Sequence, residues 1–358
     1  MKMKTGFILI LFFSPFLLFS YEPGLQLSTG LSGSLGRLDG GPWNASAAWN
    51  GGGLFFWRTR LGDKSFFTLA YQLSGSLDLE AKKADDSHYL LVTGRVPLAE
   101  GFLSLTQETR ASLVADDAFN TRDFYPSWEI QYDFPSSPKT PAPFLGYRGR
   151  FDATQDSADR LLENNILGGF KWSPSFRRSH EIQARYGFGR WIDNQTSLTD
   201  GSDSGIPRTD SLISVKAVTS GLLGFYGEYK GTLEGSLRLS NENRLAEGIL
   251  EEGSEDRLTL GASGSLGWAP LRRFKTSLDI NLQEDRYLSR EALTDLGGLS
   301  GEALTLFLAE LKMGVQWKLG DRWDLFGELA GSKSFSNETV YAGENLSISL
   351  WMELSLDF

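Results

Sequence analysis

Leu346-Ser-Ile-Ser-Leu-Trp-Met-Glu-Leu-Ser-Leu-Asp-Phe358, at the C-terminus, is the stretch that decides the fold. Leu346, Ile348, Leu350, Met352, Leu354, Leu356 and Phe358 alternate with Ser347, Ser349, Trp351, Glu353, Ser355 and Asp357. Successive side chains of a strand point to opposite faces, so a period of two gives one apolar face and one mainly polar face. A helix would need a period near 3.6, which these residues do not show.

The same alternation recurs upstream. Phe307, Ala309, Leu311, Met313, Val315 and Trp317 interleave with Leu308, Glu310, Lys312, Gly314, Gln316 and Lys318. Phe274 to Gln283 and Tyr229 to Ser240 repeat the pattern. These runs exceed the globular mean of about 5–6 residues and match the ~9–11 that a tilted strand needs to cross a bilayer. The connections alternate too. Short ones fall near 61–65, 97–101, 135–142, 173–179, 220–223, 270–273 and 319–321. Longer polar ones fall near 37–42, 80–87, 115–123, 153–161, 193–210, 241–256, 287–302 and 335–344. The reading is an all-β chain, a transmembrane antiparallel β-barrel of about 16 strands, with 14 as the alternative count and Gly51-Gly52-Gly53, within 43–60, as a place that could hide a bulge.

Residues 1–20 stand apart. Lys2 and Lys4 precede an apolar core from Phe7 to Phe19, broken by Ser14-Pro15, and Ser20 precedes Tyr21-Glu22-Pro23. That order predicts a signal peptide over 1–20 and a single barrel domain over 21–358. Beyond it no stretch approaches 18 consecutive apolar residues, which excludes a helical span. Export then leaves a soluble secreted protein or a barrel, because only helices and closed sheets satisfy their backbone inside hydrocarbon. The chain has no Cys, so disulfides, thiolate metal sites and cysteine nucleophiles are excluded. Its net charge of −10 argues against nucleic acid, whose phosphates it could not neutralise.

Aromatic residues offer an independent test. Trp57, Trp172, Trp268, Trp317 and Trp323, with Phe134, Phe144, Phe170, Phe225 and Phe274, lie near short turns. Trp43, Tyr89, Phe124, Tyr125, Trp191, Tyr287 and Tyr341 lie near long loops. Two such sets predict the aromatic belts found at headgroup boundaries.

On these features, residues 21–358 resemble the bacterial outer-membrane β-barrel class and are similar to porins in size. The resemblance implies a place in the outer membrane among lipid and lipopolysaccharide, and insertion by the barrel-assembly machinery. It also implies that Phe358, closing an alternating strand, serves as the assembly signal. General porins fold a long third external loop into the lumen; the third loop here, about 115–123, is too short for that.

A barrel of this width is not filled by its own wall side chains. The polar set of the alternation assigns a pore lining to Arg58, Arg60, Arg148, Arg150, Arg185, Glu228, Glu234, Asp279, Glu310, Glu328 and Glu353, with Glu181, Lys230, Arg238 and Lys312 on the same face. Many of the arginines come early and many of the carboxylates late. This suggests either a transverse field across the pore or, more simply, pairing between neighbouring strands.

Other chemistry reads weakly. His88 follows Asp85-Asp86 at an external strand end, and His180 sits beside a short turn next to Arg177-Arg178; each is simpler as a solvated or interfacial residue than as a catalytic base. Asp200-Gly-Ser-Asp203 and Asp152/Asp156/Asp159 lack the spacing of a calcium loop. The run Glu247, Glu251, Glu252, Glu255, Asp256 reads as a solvated loop. Gly261-Ala-Ser-Gly-Ser-Leu-Gly267 mimics a dinucleotide turn, but no helix follows it, so no cofactor is assigned. The leading expectation is a passive, non-enzymatic channel for small hydrophilic solutes, with a homo-oligomer left open. The alternative is a surface adhesin acting through loops 193–210, 241–256 and 287–302, and a barrel hydrolase ranks last.

Overall fold

The structure, a computed structural model, describes residues 21–38, 44–60, 64–78, 84–115, 120–135, 140–154, 160–198, 202–246, 249–294, 298–338 and 341–357. The predicted leader, Phe358, Trp43 and Glu247 lie outside these residues.

The strands are β1 (Tyr21–Leu38), β2 (Asn44–Arg60), β3 (Phe66–Asp78), β4 (Ala84–Leu98), β5 (Gly101–Ala115), β6 (Asn120–Asp133), β7 (Ala142–Thr154), β8 (Leu161–Ser175) and β9 (Arg178–Ser197). They continue with β10 (Asp203–Leu223), β11 (Gly227–Ser240), β12 (Arg244–Ala246), β13 (Ile249–Glu251), β14 (Arg257–Leu271), β15 (Phe274–Leu293), β16 (Leu299–Lys318), β17 (Trp323–Ser336) and β18 (Gly343–Asp357). All except the β12–β13 hairpin form one closed antiparallel barrel in chain order, a count of 16 strands. The seam is the pairing of β1 with β18, running from Gly24↔Asp357 to Leu38↔Gly343. Closure leaves the barrel no free edge, so the ladder can satisfy the backbone without water.

The register carries one side-chain parity around the whole wall. Leu31 is opposite Trp49 and Leu350, Leu350 is opposite Gly327, and the same phase continues from strand to strand through β18. On this face large apolar side chains stand exposed: Leu31, Trp49, Leu105, Ile166, Leu233, Leu260, Ile348 and Leu350 among them. The opposite face is concave. Its side chains reach over an intervening strand, as in Arg95 of β4 to Asp133 of β6 (3.6 Å), Lys171 of β8 to the same Asp133 (3.5 Å), and Lys275 of β15 to Glu228 of β11 (2.6 Å). The apolar face is therefore outside and the polar face inside. On the outside, Trp128 lies over Gly149, where an added Cβ would fall 2.2 Å from the indole, so a larger residue there would displace the ring.

Three details differ from the sequence reading. Gly51-Gly52-Gly53 carries no bulge; β2 pairs in continuous register with β1 and β3. Irregularities fall instead around Pro207 in β10, which lacks an amide donor, and between Arg286 and Glu291 in β15. The segments 193–210 and 287–302 are mostly strand, because β9, β10, β15 and β16 run on for 20 or 21 residues each.

The aromatic sets also divide by parity. Trp57, Trp172, Trp268, Trp317 and Trp323 share the outer face near the short-turn rim. Near the other rim Trp49, Phe124, Phe307 and Phe335 face outward. Tyr89, Tyr125, Trp191 and Tyr287 do not belong to that belt, because their register places them on the inner face. Phe144 also faces inward and is buried, with Lys171 Nζ 4.5 Å above its ring.

The two faces make opposite demands on a new charge. Leu350→Arg, on the outer face midway along β18, is expected to destabilise the folded barrel in vesicles by about 2–4 kcal/mol. Ser349→Arg, one residue away on the inner face, should leave it within about 0.5 kcal/mol. Urea unfolding in lipid vesicles measures both.

Candidate functional site

The inner wall is the candidate site. Register places all eleven singled-out charged residues on it: Arg58 and Arg60 on β2, Arg148 and Arg150 on β7, Arg185 on β9, Glu228 and Glu234 on β11, Asp279 on β15, Glu310 on β16, Glu328 on β17 and Glu353 on β18. They are spread around the wall rather than gathered into one cluster.

Their partners are local. Arg148 donates to Glu129 on the adjacent strand. Arg150 Nε meets Asp152 Oδ1 at 2.5 Å, and Lys312 Nζ meets Glu328 Oε2 at 2.9 Å. Lys216 stands opposite Glu234, and Asp279 opposite Lys312. Asn281 donates to Glu310 (2.8 Å), and Arg185 Nε donates to Ser214 Oγ (3.3 Å). Many of the charges therefore pair within a strand or with a neighbouring one, which favours charge pairing over a field directed across the lumen; Glu353 instead stands opposite Asp324. Half-exposed pairs of this kind add little stability, and their effect is to keep the wall wet and nearly balanced in charge. Arg58 lies over the ring of Phe66 (5.1 Å) and Arg110 over Tyr89 (5.5 Å). On one side Tyr89, Glu108, Arg110, Tyr125, Glu129, Arg148 and Arg150 line a recess of about 1040 Å³.

The two histidines sit on the other face. His88 Nδ1 is 2.8 Å from Tyr71 Oη, and His180 lies 4.9 Å from the Trp172 ring. Both groups belong to the outer wall by register, away from the inner charges.

At the mouth, the connection 241–256 between β11 and β14 holds a built structure that sequence reasoning treated as solvated. Arg208 of β10, 8% exposed, stacks over inward-facing Trp191 (4.5 Å) and meets Asp210 (3.3 Å), Glu242 (3.8 Å) and Glu255 (3.9 Å). Arg244 bonds Glu251 (2.7 Å) across the small β12–β13 hairpin and reaches Glu291 O on β15, while Glu251 accepts from Glu291 N (3.0 Å). Arg290 meets Glu255 (3.9 Å) and donates to Tyr341 (2.8 Å) in the connection between β17 and β18. Beneath these contacts Tyr287, Ala292 and Leu304 form a small buried core with Leu306. The sixth external connection thus braces the inner side of β10 and β15, in place of the third. Just below it a cavity of about 220 Å³ is lined by Glu163, Arg185, Asp210, Arg238 and Arg257 among others.

Several solved structures share the architecture. OccAB1 of Acinetobacter baumannii aligns over 94% of this chain and 97% of its own with a TM-score of 0.53 at 8% identity. OpdO of Pseudomonas aeruginosa aligns over 95% and 98% (TM-score 0.48, 12% identity), and OmpT, an outer membrane protein of Vibrio cholerae, over 93% and 99% (0.45, 10%). No family model matches the sequence, and no curated protein is similar to it in sequence. Identities this low speak to fold alone. By fold the chain is a closed 16-stranded antiparallel β-barrel, the architecture it shares with these bacterial proteins.

Burial pushes the Glu242 carboxyl above its ordinary pKa; Arg208 pulls it down, and Glu255 adds to the rise. The packed connection therefore binds this proton more tightly than a released one would. Glu242 favours packing below the ordinary carboxylate pKa, and that contribution fades as pH rises through the shifted value. Arg208→Ala would leave Glu242 without its cationic partner and take one of two from Asp210 and Glu255, against an upper bound of about 3–5 kcal/mol for breaking a fully buried pair. It should expose 241–256 to added protease at neutral pH, with partial protection returning on acidification. Glu242→Gln should keep the connection packed and flatten that pH dependence. Cleavage rates in folded, reconstituted protein report both.

Proposed function

We propose that the protein is a passive channel through which small hydrophilic solutes diffuse across the outer membrane. The observation that supports this reading best is the inner wall, polar and locally charge-paired from the mouth cluster at Arg208 to the short-turn rim at Arg95, Asp133 and Lys171. A wall of this kind solvates a passing solute without holding it, because many of its charges already have a partner to return to. The braced connection 241–256 narrows one side of the entrance and sets an upper size limit. The closed wall exchanges its apolar face with lipid and its external end with lipopolysaccharide. The alternating β18 is what the assembly machinery would read, with Phe358 following it in the sequence. On this reading the chain performs no covalent chemistry; the histidines lie outside the lumen.

Purified, folded protein added to a planar bilayer should give discrete conductance steps with weak ion selectivity. Arg148→Glu together with Arg150→Glu should shift the reversal potential toward cations without abolishing the steps. Replacing Arg244–Glu251 by a short Gly-Ser link should enlarge the steps. Complete absence of conductance from folded protein would sink the channel reading. Loss of host-cell adhesion with unchanged steps in the loop variant would instead favour a surface adhesin.

A further inference from the structure

The short-turn rim is not uniform. The β4–β5 turn is Ala99-Glu100, and the β16–β17 turn is Leu319-Gly-Asp-Arg322; each carries a carboxylate and neither an aromatic ring. The three successive turns from β8 to β15 are of another kind. They read Phe176-Arg177, Gly224-Phe225-Tyr226 and Arg272-Arg273, with Arg178 directly following the first. Phe176 and Phe225 are each 89% exposed, Tyr226 is 63% and Leu271 is 66%.

These turns form one patch. Leu222 N donates to Arg177 O (2.9 Å), linking the first two, and Ala269 N donates to Tyr226 O (2.7 Å), linking the second to the third strand pair. Arg177 lies 5.3 Å from the Phe176 ring centre and 5.6 Å from that of Phe225, which holds its guanidinium between two aromatic rings. Arg178, Arg272 and Arg273 are exposed beside it, and these turns carry no carboxylate. Within a chain of net charge −10, this corner is locally strongly positive.

We infer that this rim patch binds the anionic phosphodiester headgroups of phospholipids in the inner leaflet around the barrel. Two features choose lipid over a soluble protein. The patch continues the lipid-facing apolar surface: Phe170 and Trp172 lie one strand segment above Phe176, and Trp268 lies above Arg272. And the combination is that of an interfacial site, with rings that sink into the headgroup boundary and guanidinium groups that take a phosphate bidentately. A flat, wholly apolar rim would serve zwitterionic lipid equally well; four arginines discriminate by charge. Among the described residues the patch occupies one side, so it orders lipid asymmetrically around the barrel.

The test uses full-length folded protein in mixed micelles of phosphatidylglycerol and phosphatidylethanolamine at equal amounts, with bound lipid read by native mass spectrometry. Phosphatidylglycerol should be enriched at least about fivefold, the discrimination expected from one basic residue at an anionic surface. Raising salt should erode the enrichment, since these charges are exposed. Replacing Arg177, Arg178, Arg272 and Arg273 by Ser should bring the ratio to parity, and Phe176→Ser with Phe225→Ser should lower it. Equal retention of the two lipids by the native protein, or enrichment indifferent to salt, would overturn the proposal, and neither reading needs a variant to fold. Enrichment that survives the four-arginine change in folded protein would also overturn it. Displacement of the lipid by excess inorganic phosphate would assign a free-anion site in its place.

Discussion

The whole structure depends on one constraint: inside hydrocarbon there is no water to accept an unpaired amide or carbonyl. A sheet meets that constraint only by closing, and here closing falls to β1 and β18, the first and last strands of the chain. The continuous pairing of Leu25 to Leu356 through Leu38 to Gly343 joins residues more than three hundred positions apart, so β1 and β18 are satisfied on both sides only when the two ends of the sheet meet. Once the cylinder is shut, side-chain parity becomes a property of the whole molecule. A residue is inside or outside according to its register with every neighbour, and a slip by one position would turn an entire strand's apolar face toward water.

That parity separates two roles. The outer face meets lipid with leucine, isoleucine and aromatic rings, and the inner face carries serines, amides and charges whose partners are mostly one or two strands away. Arg95, Asp133, Lys171 and Glu181 make such a chain along the short-turn rim, with contacts of 3.6, 3.5 and 4.0 Å. The result is a wall that is polar without carrying a strong charge of either sign. Only at the mouth do the charges become buried. There Arg208, Asp210 and Glu242 have exchanged water for one another, and the exchange fixes the shape of a connection that would otherwise be free to move.

The barrel was legible in the sequence because its signal is local: Leu346 to Leu356 announces a two-faced strand with no knowledge of its neighbours. The inner set from Arg58 to Glu353 was legible for the same reason, since alternation assigns each residue a face. What escaped was whatever depends on contacts between distant positions. Trp191 and Tyr287 were grouped by their nearness to loops, although counting alternate positions along β9 and β15 would have turned them inward. Arg208 was hidden within a span read as loop, and its partners Glu242 and Glu255 lie on another connection altogether. No periodicity marks such a cluster. Its faint trace is composition: arginines at 208, 244 and 290 beside an acidic run whose charges would otherwise repel.

Strand length has a consequence for the outside of the cell. β9, β10, β15 and β16 reach 20 or 21 residues, while β3 and β7 have 13 and β6, β11 and β17 have 14. At ~3.3 Å per residue and a tilt near 40°, six further residues raise the wall by roughly 15 Å. The rim is therefore raised at two hairpins, β9–β10 and β15–β16, with the shorter β11 and β14 between them, and low along the flank from β3 to β7. A bulky visitor such as an antibody or a phage tail fibre would reach the entrance from the low flank, while small molecules arrive from any direction.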